Sequence, residues 1–320
     1  MSAMEVTNPY PEPPAQLRYP KVSPKVSIVT PSYNQGKFIE RTILSVICQD
    51  YPNLEYIVVD AVSTDQTSAV LEKYQPHIDV LIVEPDRGQT DALNKGFNRS
   101  TGEIMAYLNS DDCYADKDVI ATAVRYFEQH PDIDVVYGQR NCINANGRFT
   151  YCSPYKPFCK DSLLLSDYIA QECVFWRREI FEKAGAYVDE SFHFAMDYEL
   201  WLRFLQHGAK FLAVEEFFGL FRSYQEQKSI ELWERVGLPE IARLHELYLG
   251  RALPEKEMVD YYQEYFFGSH PVASPDAFRF AQGVWGGFTM YKKELLNKQP
   301  LDTWGLAEYD RKFQSALAST

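Results

Sequence analysis

The sequence has no excess of positive charge. Its 320 residues contain 32 Lys and Arg against 45 Asp and Glu, which gives a formal net charge of -13 at pH 7. A surface built to hold nucleic acid neutralises phosphates with Lys and Arg, so this balance argues against nucleic acid as a partner. Any phosphate that the protein binds must therefore be neutralised by groups within its own binding site.

Long apolar runs and paired cysteines are also missing. No uninterrupted apolar stretch is long enough to cross a bilayer, and the N-terminus is Pro-rich and polar where a signal peptide would be basic and then apolar. The 6 cysteines are scattered without a Cys-x-x-Cys pair, which argues against a zinc site. We expect reduced thiols and a cytoplasmic location, with the inner membrane surface as an alternative.

The sequence does contain an alternation of strand-like and helix-like segments. Short apolar strands are predicted at residues 26–30, 56–59, 80–83, 104–108 and 135–137, with helical spacing of apolar residues between them. Such alternation predicts βαβ units in an α/β fold, with a doubly wound, mainly parallel sheet flanked by helices. Apolar residues make up 46% of the chain, which is enough for a sizeable core.

Composition divides the chain into three parts. Residues 1–24 are rich in proline and are predicted to form a flexible tail. Residues 25–228 are predicted to form the main domain, whose doubly wound half ends near residue 140. Polar loops are expected from there to about residue 161, followed by helical or partly buried segments at 168–181 and 198–205.

Residues 229–320 read mostly as a helical C-terminal extension. Its aromatic clusters lie at residues 261–262, 265–267 and 285–288. They are open to four interpretations, which are core packing, an oligomer interface, an acceptor platform and a peripheral contact with a membrane surface. Core packing is the default for such clusters.

Polar residues follow four of the predicted strands where each strand ends. They are Pro31-Ser32-Tyr33-Asn34, the segment 60–65, the segment 84–88 and Asn109-Ser110-Asp111-Asp112. Ligands of open α/β sheets bind beyond the carboxyl ends of the strands, because loops and helix N-termini converge there. We therefore expect a polar ligand site at this edge of the sheet.

Asp111 and Asp112 are adjacent acids in a chain that has neither a Gly-x-Gly-x-x-Gly loop nor a Walker lysine loop. A divalent cation could take the place of such a loop, because oxygen ligands suit Mg²⁺ or Mn²⁺ and the metal can bridge a carboxylate to a diphosphate. The alternative is that the pair caps a helix beginning near Asp116 or lies in a solvated turn.

Other residues near the strand ends also have two interpretations. Asp60 either caps the turn after its strand or accepts hydrogen bonds from a base or ribose. Tyr33 either stacks on a nucleobase or packs internally. Thr90 or Asp91 is expected to be the N-cap of the following helix, and Asp91 is also a candidate contact of a bound nucleotide.

Taken in order, these segments resemble the family 2 glycosyltransferases of bacteria, over about residues 25–225. The resemblance rests on VSIVTPSYN at 26–34, VVDAVSTD at 58–65, EPDRGQTDALNKG at 84–96, YLNSDD at 107–112, QECVFWRR at 171–178 and AMDYELWLR at 195–203. It implies a GT-A fold and an enzyme that transfers a sugar from a nucleotide-diphosphate sugar with inversion at the anomeric carbon. A UDP-sugar is the expected donor. The implied acceptor is a carbohydrate or lipid-linked hydroxyl, in polysaccharide or glycoconjugate biosynthesis.

The resemblance also implies roles for individual residues. It assigns residues 25–140 to the nucleotide-binding half and 141–228 to the acceptor half. Nucleotide contacts map to Pro31, Tyr33 and Asp60, and the family's Asp-x-Asp metal motif maps to Asn109, Asp111 and Asp112. Asp111 and Asp112 are then the contacts of the metal and of the ribose or phosphate.

The catalytic base maps to Asp197, with Glu199 as the alternative base. Asp197 would take the proton of the acceptor hydroxyl, although it is also a candidate N-cap of its helix. Arg222 either pairs with phosphate or forms a surface ion pair.

The sequence departs from the family at a few positions near the expected site. Ala61 and Val62 stand where relatives often have Gly-Gly or an additional Asp that could contact the base or ribose, and Tyr224 stands where many relatives place a His. Two other functions fit a doubly wound sheet with a metal, namely a sugar-nucleotide nucleotidyltransferase and a non-catalytic nucleotide-sugar-binding protein. The first should carry a Gly-rich basic loop after its first strand, and residues 31–36 are not such a loop.

Overall fold

A computed structural model describes residues 23–152, 157–254 and 257. The strands in these residues are β1 (Val26–Ser32), β2 (Leu54–Asp60), β3 (Val80–Val83), β4 (Ile104–Tyr107), β5 (Cys113–Tyr114), β6 (Val135–Asn144), β7 (Phe149–Cys152), β8 (Val174–Arg177) and β9 (Phe211–Ser223). The helices are α1 (Ile39–Ile47), α2 (Thr67–Tyr74), α3 (Gln89–Arg99), α4 (Val119–Gln129), α5 (Lys160–Leu165), α6 (Arg178–Lys183), α7 (Met196–Gln206), α8 (Lys228–Glu231) and α9 (Leu238–Leu249). Single 3-10 turns at Gln75–His77 and Gln171–Cys173 and a π-helical turn at Trp233–Gly237 complete the order.

The strands form one sheet whose first half is parallel. From one edge the order is β3, β2, β1, β4, β8, β6, β9 and β5, and β7 pairs with β6. Strand β1 lies parallel to β2 and β4, and β2 lies parallel to β3, so these strands end at the same edge. Strand β8 runs antiparallel to β4 and β6, whereas β9 runs parallel to β6. The predicted α/β class with a mainly parallel sheet and flanking helices is confirmed.

The central strand β1 is buried along its whole length. Its β-branched residues suit an extended backbone, and burial on both faces is typical of a parallel strand that is covered by helices. Helix α3 packs closely against this strand because Gly96 has no side chain. A Cβ at Gly96 would lie 2.4 Å from Cγ1 of Val29. This close approach fixes α3 relative to the strand ends.

Aromatic side chains form the core beneath the second half of the sheet. The rings of Trp176 and Trp201 lie 5.6 Å apart. Phe204 contacts both rings, and Phe97 contacts Trp176. These residues come from β8, α7 and α3, so one cluster ties together elements that are distant in sequence. Aromatic pairs of this kind add about 0.5–1.5 kcal/mol each beyond the area that they bury.

The sequence prediction is confirmed for the first half and is partly wrong for the second. Strand β3 has the predicted bounds. The polar loop predicted to about residue 161 is wrong, since β6 continues to Asn144 and pairs with β7. The segment 168–181, predicted to be helical or partly buried, is mostly buried and contains β8 and the beginning of α6.

The predicted tail at residues 1–24 lies outside the described residues apart from Ser23 and Pro24. The aromatic clusters at 261–262, 265–267 and 285–288 lie outside them as well. Helices α8 and α9 occupy the described beginning of the C-terminal extension. None of the helices in the described part of the chain has the length and apolar character needed to cross a membrane.

Candidate active site

A cavity of about 400 Å³ lies at the C-terminal ends of β1 and β4. Its walls are the loop after β1, the loop after β4, the N-terminal turns of α3 and α7, and the segment 226–232 that follows β9. These parts are far apart in sequence and meet because the parallel strands end at one edge. The structure therefore brings the residues of this edge around one concave site.

The loop after β1 supplies Pro31, Ser32 and Tyr33 to the cavity. The ring of Tyr33 is 61% exposed, which does not fit the alternative of internal packing. The Ser32 hydroxyl is buried and has no hydrogen-bond partner among the described residues. An exposed ring beside an unpaired hydroxyl offers a ligand both a stacking face and a hydrogen bond.

Asp60 shapes the turn after β2. Its Oδ2 accepts a hydrogen bond from the backbone N–H of Ser63 at 2.8 Å, and its Oδ1 accepts one from the Ser63 hydroxyl at 2.6 Å. The backbone N–H of Asn34 donates to the same hydroxyl, so the turn also holds the loop after β1. Asp60 is buried and is not part of the cavity lining. The turn-capping role is present, and a direct nucleotide contact stays a prediction.

Val62 lies at the tip of this turn with a φ of 58°. This left-handed conformation is unfavourable for a β-branched residue, and the hydrogen bonds to Asp60 hold it in place. Its side chain is 47% exposed. The position that departs from the family pattern is thus an exposed apolar residue on a strained turn.

Asp91 lies in the first turn of α3 and outside the cavity lining. Burial raises the pKa of its carboxyl, but hydrogen bonds from Arg87 and Lys95 lower the pKa below its usual value. The N-cap prediction was wrong, because the N-cap is Gly88 and no side chain caps the helix. The Thr90 hydroxyl instead donates to the carbonyl of Phe192 at 3.1 Å.

Asp111 and Asp112 both line the cavity. Oδ1 of Asp112 accepts from the backbone N–H of Arg222 at 2.8 Å, and Oδ2 of Asp111 accepts from the Tyr224 hydroxyl at 2.9 Å. Burial raises the pKa of both carboxyls, and the charge of Asp111 raises the pKa of Asp112 further. Asp112 is only 1% exposed, so the solvated-turn alternative does not hold. The helix-cap alternative does not hold either, since α4 begins at Val119 with Asp118 as its N-cap.

The donor set of this pair suits a hard divalent cation. Mg²⁺ is usually bound through one or two carboxylates, with substrate phosphates and water completing its coordination. No group of three or more His, Cys, Asp and Glu side chains in the described residues is arranged to hold a metal ion alone. Two adjacent carboxylates that line the cavity therefore fit a metal that is shared with a substrate.

Arg222 and Tyr224 support the pair from β9 and the segment after it. The Arg222 guanidinium donates to the carbonyls of Asp111, Asn144 and Ala145, and it lies 4.9 Å from the ring centroid of Phe38. Arg222 is 1% exposed and is not part of the cavity lining, so the surface ion-pair interpretation was wrong. These contacts show that Arg222 holds the backbone around Asp111 in place without itself lining the cavity.

Asn109 belongs to a chain of hydrogen-bonded amides across the cavity floor. Its Oδ1 accepts from Nε2 of Gln89 at 2.7 Å, and its Nδ2 donates to Oε1 of Gln171 at 3.1 Å. Nε2 of Gln171 then donates to the carbonyl of Tyr107 at 2.6 Å. At the other end, Nζ of Lys228 donates to Oε1 of Gln89 at 2.8 Å.

Asp197 lies in the first turn of α7 and faces the same cavity. Burial raises the pKa of its carboxyl to about 6, although a hydrogen bond from the backbone N–H of Tyr198 opposes the rise. Its interpretation as the N-cap was wrong, because the N-cap is Ala195. A buried carboxyl with a pKa near neutrality is suited to accept a proton.

Glu199 does not face the cavity. Its carboxylate pairs with the Arg203 guanidinium at 2.9 Å and accepts from the Tyr248 hydroxyl at 2.9 Å. These contacts tie α7 to α9 and leave the carboxylate engaged within the protein. The geometry favours Asp197 over Glu199 as a base.

Glu240 of α9 caps the turn that precedes α7. Its carboxylate accepts hydrogen bonds from the backbone N–H groups of His193, Phe194 and Ala195, at 2.7, 2.8 and 2.9 Å. These groups would otherwise be unpaired at the helix N-terminus, where a negative charge is also favourable. The C-terminal helix therefore helps to position Asp197.

The sequence prediction missed several residues of the site. Arg140 and Glu172 line the cavity and form a buried ion pair, in which Nε of Arg140 donates to Oε1 of Glu172 at 2.6 Å. Glu172 lay within a recognised motif, but Arg140 lay near the boundary of an incompletely predicted strand. Lys228 and Glu240 lay in segments without a diagnostic pattern. Proximity in space, rather than residue type, identifies them.

Comparison with known proteins places these features in a family. The model of the family described as Glycosyl transferase family 2 matches residues 27–196, which is just over half of the chain. A PGL/p-HBAD biosynthesis glycosyltransferase of Mycobacterium tuberculosis is 27% identical over 168 residues, covering 52% of this chain and 64% of that protein. The chain thus spans less than two thirds of the length of this relative.

Two solved structures share the fold. The structure of S. aureus TarS 1-349 in complex with UDP-GlcNAc has a TM-score of 0.58 and 19% identity, and it covers 77% of this chain and 73% of its own. The mannosyltransferase PcManGT from Pyrobaculum calidifontis, in complex with GDP-Man and Mn²⁺, has a TM-score of 0.56 and 20% identity. That comparison covers 91% of this chain and 86% of the other.

Proposed function

This chain belongs to glycosyl transferase family 2, and on that premise we propose that it transfers a sugar from a nucleotide-diphosphate sugar to an acceptor hydroxyl. The observation that carries the proposal is one cavity with three chemically distinct groups. It contains the exposed ring of Tyr33, the carboxylate pair Asp111 and Asp112, and the buried carboxyl of Asp197. These groups suit a nucleoside, a diphosphate and an acceptor proton, respectively.

The nucleoside would bind against the loop after β1. Tyr33 offers a stacking face for the base, Pro31 lines the cavity beside it, and the unpaired Ser32 hydroxyl offers a hydrogen bond. TarS and PcManGT bind UDP-GlcNAc and GDP-Man, which supports a nucleotide-diphosphate sugar as the donor class. We propose a UDP-sugar as the donor.

Asp111 and Asp112 would hold Mg²⁺ or Mn²⁺ together with the donor diphosphate. Such an ion would neutralise the negative charge of the leaving diphosphate. The Mn²⁺ bound by PcManGT supports this assignment. Within the protein, Tyr224 and Arg222 hold the two aspartates in their orientation.

Asp197 would act as the general base of a direct displacement. The acceptor oxygen bonds to the anomeric carbon as the bond from that carbon to the phosphate oxygen breaks, and the acceptor proton passes to the Asp197 carboxylate. Attack opposite the leaving group inverts the anomeric centre. Because burial raises the pKa to about 6, the carboxylate is still ionised at neutral pH and is a stronger base than an exposed aspartate.

The acceptor is proposed to be a carbohydrate or a lipid-linked hydroxyl compound, in polysaccharide or glycoconjugate biosynthesis. The name of the mycobacterial relative, a PGL/p-HBAD biosynthesis glycosyltransferase, supports this class. A cytoplasmic location, including the inner membrane surface, would give access to both nucleotide sugars and membrane-linked acceptors.

Thermal-shift measurements with a panel of nucleotide sugars, each with and without Mn²⁺, test the proposal. We expect stabilisation by UDP-sugars that increases with Mn²⁺, and we expect Asp111→Ala and Asp112→Ala to remove the increase. Stabilisation follows the ratio of ligand concentration to Kd, reaching about 2.7 kcal/mol at 100 times Kd. The absence of a shift with every nucleotide sugar, in a folded wild-type protein, would count against the proposed function.

A further inference from the structure

Lys228 is a cation in the cavity that has no role in the proposed reaction as described above. It is the first residue of α8 and lines the cavity wall. The basic residues that line this cavity in the described part of the chain are Arg140 and Lys228. The charge of Arg140 is matched by Glu172, with both side chains almost fully buried. Lys228 hydrogen-bonds instead to the neutral carboxamide of Gln89.

The surroundings of Lys228 are strongly acidic. The carboxylates that line the cavity come from Asp86, Asp111, Asp112, Glu172, Asp197, Glu226 and Glu231. A diphosphate would be repelled from such a cavity unless cations met it. A metal at Asp111 and Asp112 would supply part of that positive charge, and Lys228 is the side chain available to supply more.

The position of Lys228 fits the reacting end of the diphosphate. Burial lowers the pKa of its ammonium group to about 8, whereas attraction to Asp197, Glu240 and Asp111 opposes the fall. The ammonium form therefore predominates at neutral pH. Lys228 lines the same cavity as Asp197, Asp111 and Asp112, so its charge shares that space with the proposed base and the proposed metal carboxylates. The bond between the sugar and the diphosphate would break in this region.

The amide chain gives Lys228 a defined orientation. Gln89, Asn109 and Gln171 connect its Nζ to the carbonyl of Tyr107 through consecutive hydrogen bonds. A lysine side chain loses conformational entropy when it is fixed in one rotamer. Because the hydrogen-bonded network already fixes Lys228 in the free protein, less entropy is lost when a ligand binds. Asn109, at the outer position of the Asp-x-Asp motif, therefore helps to orient Lys228 through its hydrogen bond with Gln89.

We propose that Lys228 binds the terminal phosphate of the donor diphosphate and stabilises the charge that it gains as the sugar leaves. The proposal rests on the proposed glycosyltransferase function. When the anomeric carbon–oxygen bond breaks, its electron pair remains on the phosphate oxygen. Lys228 donates a hydrogen bond to the phosphate without giving up its proton, and the acceptor proton passes to Asp197.

Calorimetric titration with UDP and UMP in the presence of Mn²⁺ tests this role, with GDP and GMP as a second pair. We expect Lys228→Gln to weaken the binding of the nucleoside diphosphate by about 10- to 100-fold and to leave monophosphate binding within about 2-fold. This range corresponds to the loss of a hydrogen bond to a charged group. Lys228→Arg should retain most of the affinity for the diphosphate. Lys210→Gln is the control, because it removes a positive charge from an exposed ion pair with Asp132.

The possible outcomes separate the two proposals. If wild-type protein binds diphosphates in preference to monophosphates and Lys228→Gln keeps that preference, the role of Lys228 is wrong while the proposed function stands. Equal losses for diphosphate and monophosphate would show a structural role and would also overturn it. If folded wild-type protein binds neither diphosphate, the proposed function fails, and the role of Lys228 fails with it.

Discussion

At the scale of single residues, burial changes the pKa of an ionisable group in the site and also lowers the stability of the folded protein. Asp197 is 5% exposed, and its sequence neighbours Met196 and Tyr198 belong to the buried core. Removal from water raises the pKa of its carboxyl to about 6, which makes it a better proton acceptor. The same desolvation means that the ionised carboxylate destabilises the folded state at neutral pH.

We predict that Asp197→Asn stabilises the fold at neutral pH by roughly 1–3 kcal/mol, the scale implied by a pKa raised from 3.8 to about 6. The folded state holds this proton more tightly than the unfolded state, so wild-type stability falls as pH rises through this window. Asparagine does not titrate and can still accept the hydrogen bond from Tyr198. Urea unfolding at pH 3.5 and pH 8 measures the difference, which should be small at pH 3.5 and largest at pH 8. A constant difference at both values would contradict the assignment.

We predict that Arg140→Met destabilises the protein by about 3–5 kcal/mol, because it leaves the buried Glu172 carboxylate without its partner. The double variant Arg140→Met/Glu172→Met should recover much of the loss. Arg148→Met is the control, since Arg148 is exposed on the hairpin of β6 and β7. Equal denaturation midpoints for Arg140→Met and Arg148→Met would show that the pair is energetically unimportant.

At the scale of elements, the site depends on contacts between helices that are distant in sequence. Glu240 lies 45 residues from Ala195, yet its carboxylate caps the backbone just before α7. Periodicity of apolar residues predicts that a helix is present. It cannot show which distant carboxylate caps that helix, because this contact depends on the tertiary arrangement. The aspartates, by contrast, were recognisable from their motifs, which are local in sequence.

We predict that Glu240→Ala lowers stability by about 1–3 kcal/mol and lowers turnover more than it changes donor affinity. The backbone N–H groups before α7 lose their partner, and the orientation of Asp197 is less well fixed. Glu246→Ala is the matched control, because Glu246 is exposed on the same helix. Thermal unfolding together with kcat and KM for a nucleotide sugar measures both effects. Unchanged kcat in a destabilised Glu240→Ala protein would limit its role to folding.

The second half of the sheet shows why sequence patterns were insufficient. Strand β9 has a mixture of buried, partly buried and exposed residues, so it carries neither a continuous apolar run nor a clean alternation. Its long pairing with β6 contains register shifts, which further obscure the period. The parallel first half was predictable because its strands are short, apolar and regularly separated by helices.

At the scale of the whole molecule, an acidic protein is proposed to bind an acidic ligand. The net charge of -13 gives no general attraction for phosphate, so binding must depend on cations placed inside the cavity. From the sequence, a metal ion at Asp111 and Asp112 is predicted as one such cation. Lys228 is not predicted, because a lysine in a polar segment has no distinguishing pattern, and only the fold brings it opposite the aspartates.

We predict that a chelator weakens the binding of UDP or GDP at least tenfold and that Mn²⁺ or Mg²⁺ restores it. Without the ion, the carboxylates of the cavity repel the diphosphate. Nucleosides that lack phosphate should bind equally with and without metal, which controls for effects on the fold. Diphosphate affinity that is independent of metal would mean that Asp111 and Asp112 have another role.

The most direct test of the account is a comparison of wild-type protein and Asp197→Asn with the donor that stabilises the wild type most. Donor affinity is measured calorimetrically, and release of nucleoside diphosphate is followed in the presence of a carbohydrate acceptor that supports turnover. We expect Asp197→Asn to retain donor affinity within about 3-fold while release falls by at least 100-fold, the scale of general base catalysis. Wild-type turnover should also decline as pH falls through about 6. Near wild-type release by a folded Asp197→Asn protein would contradict the account.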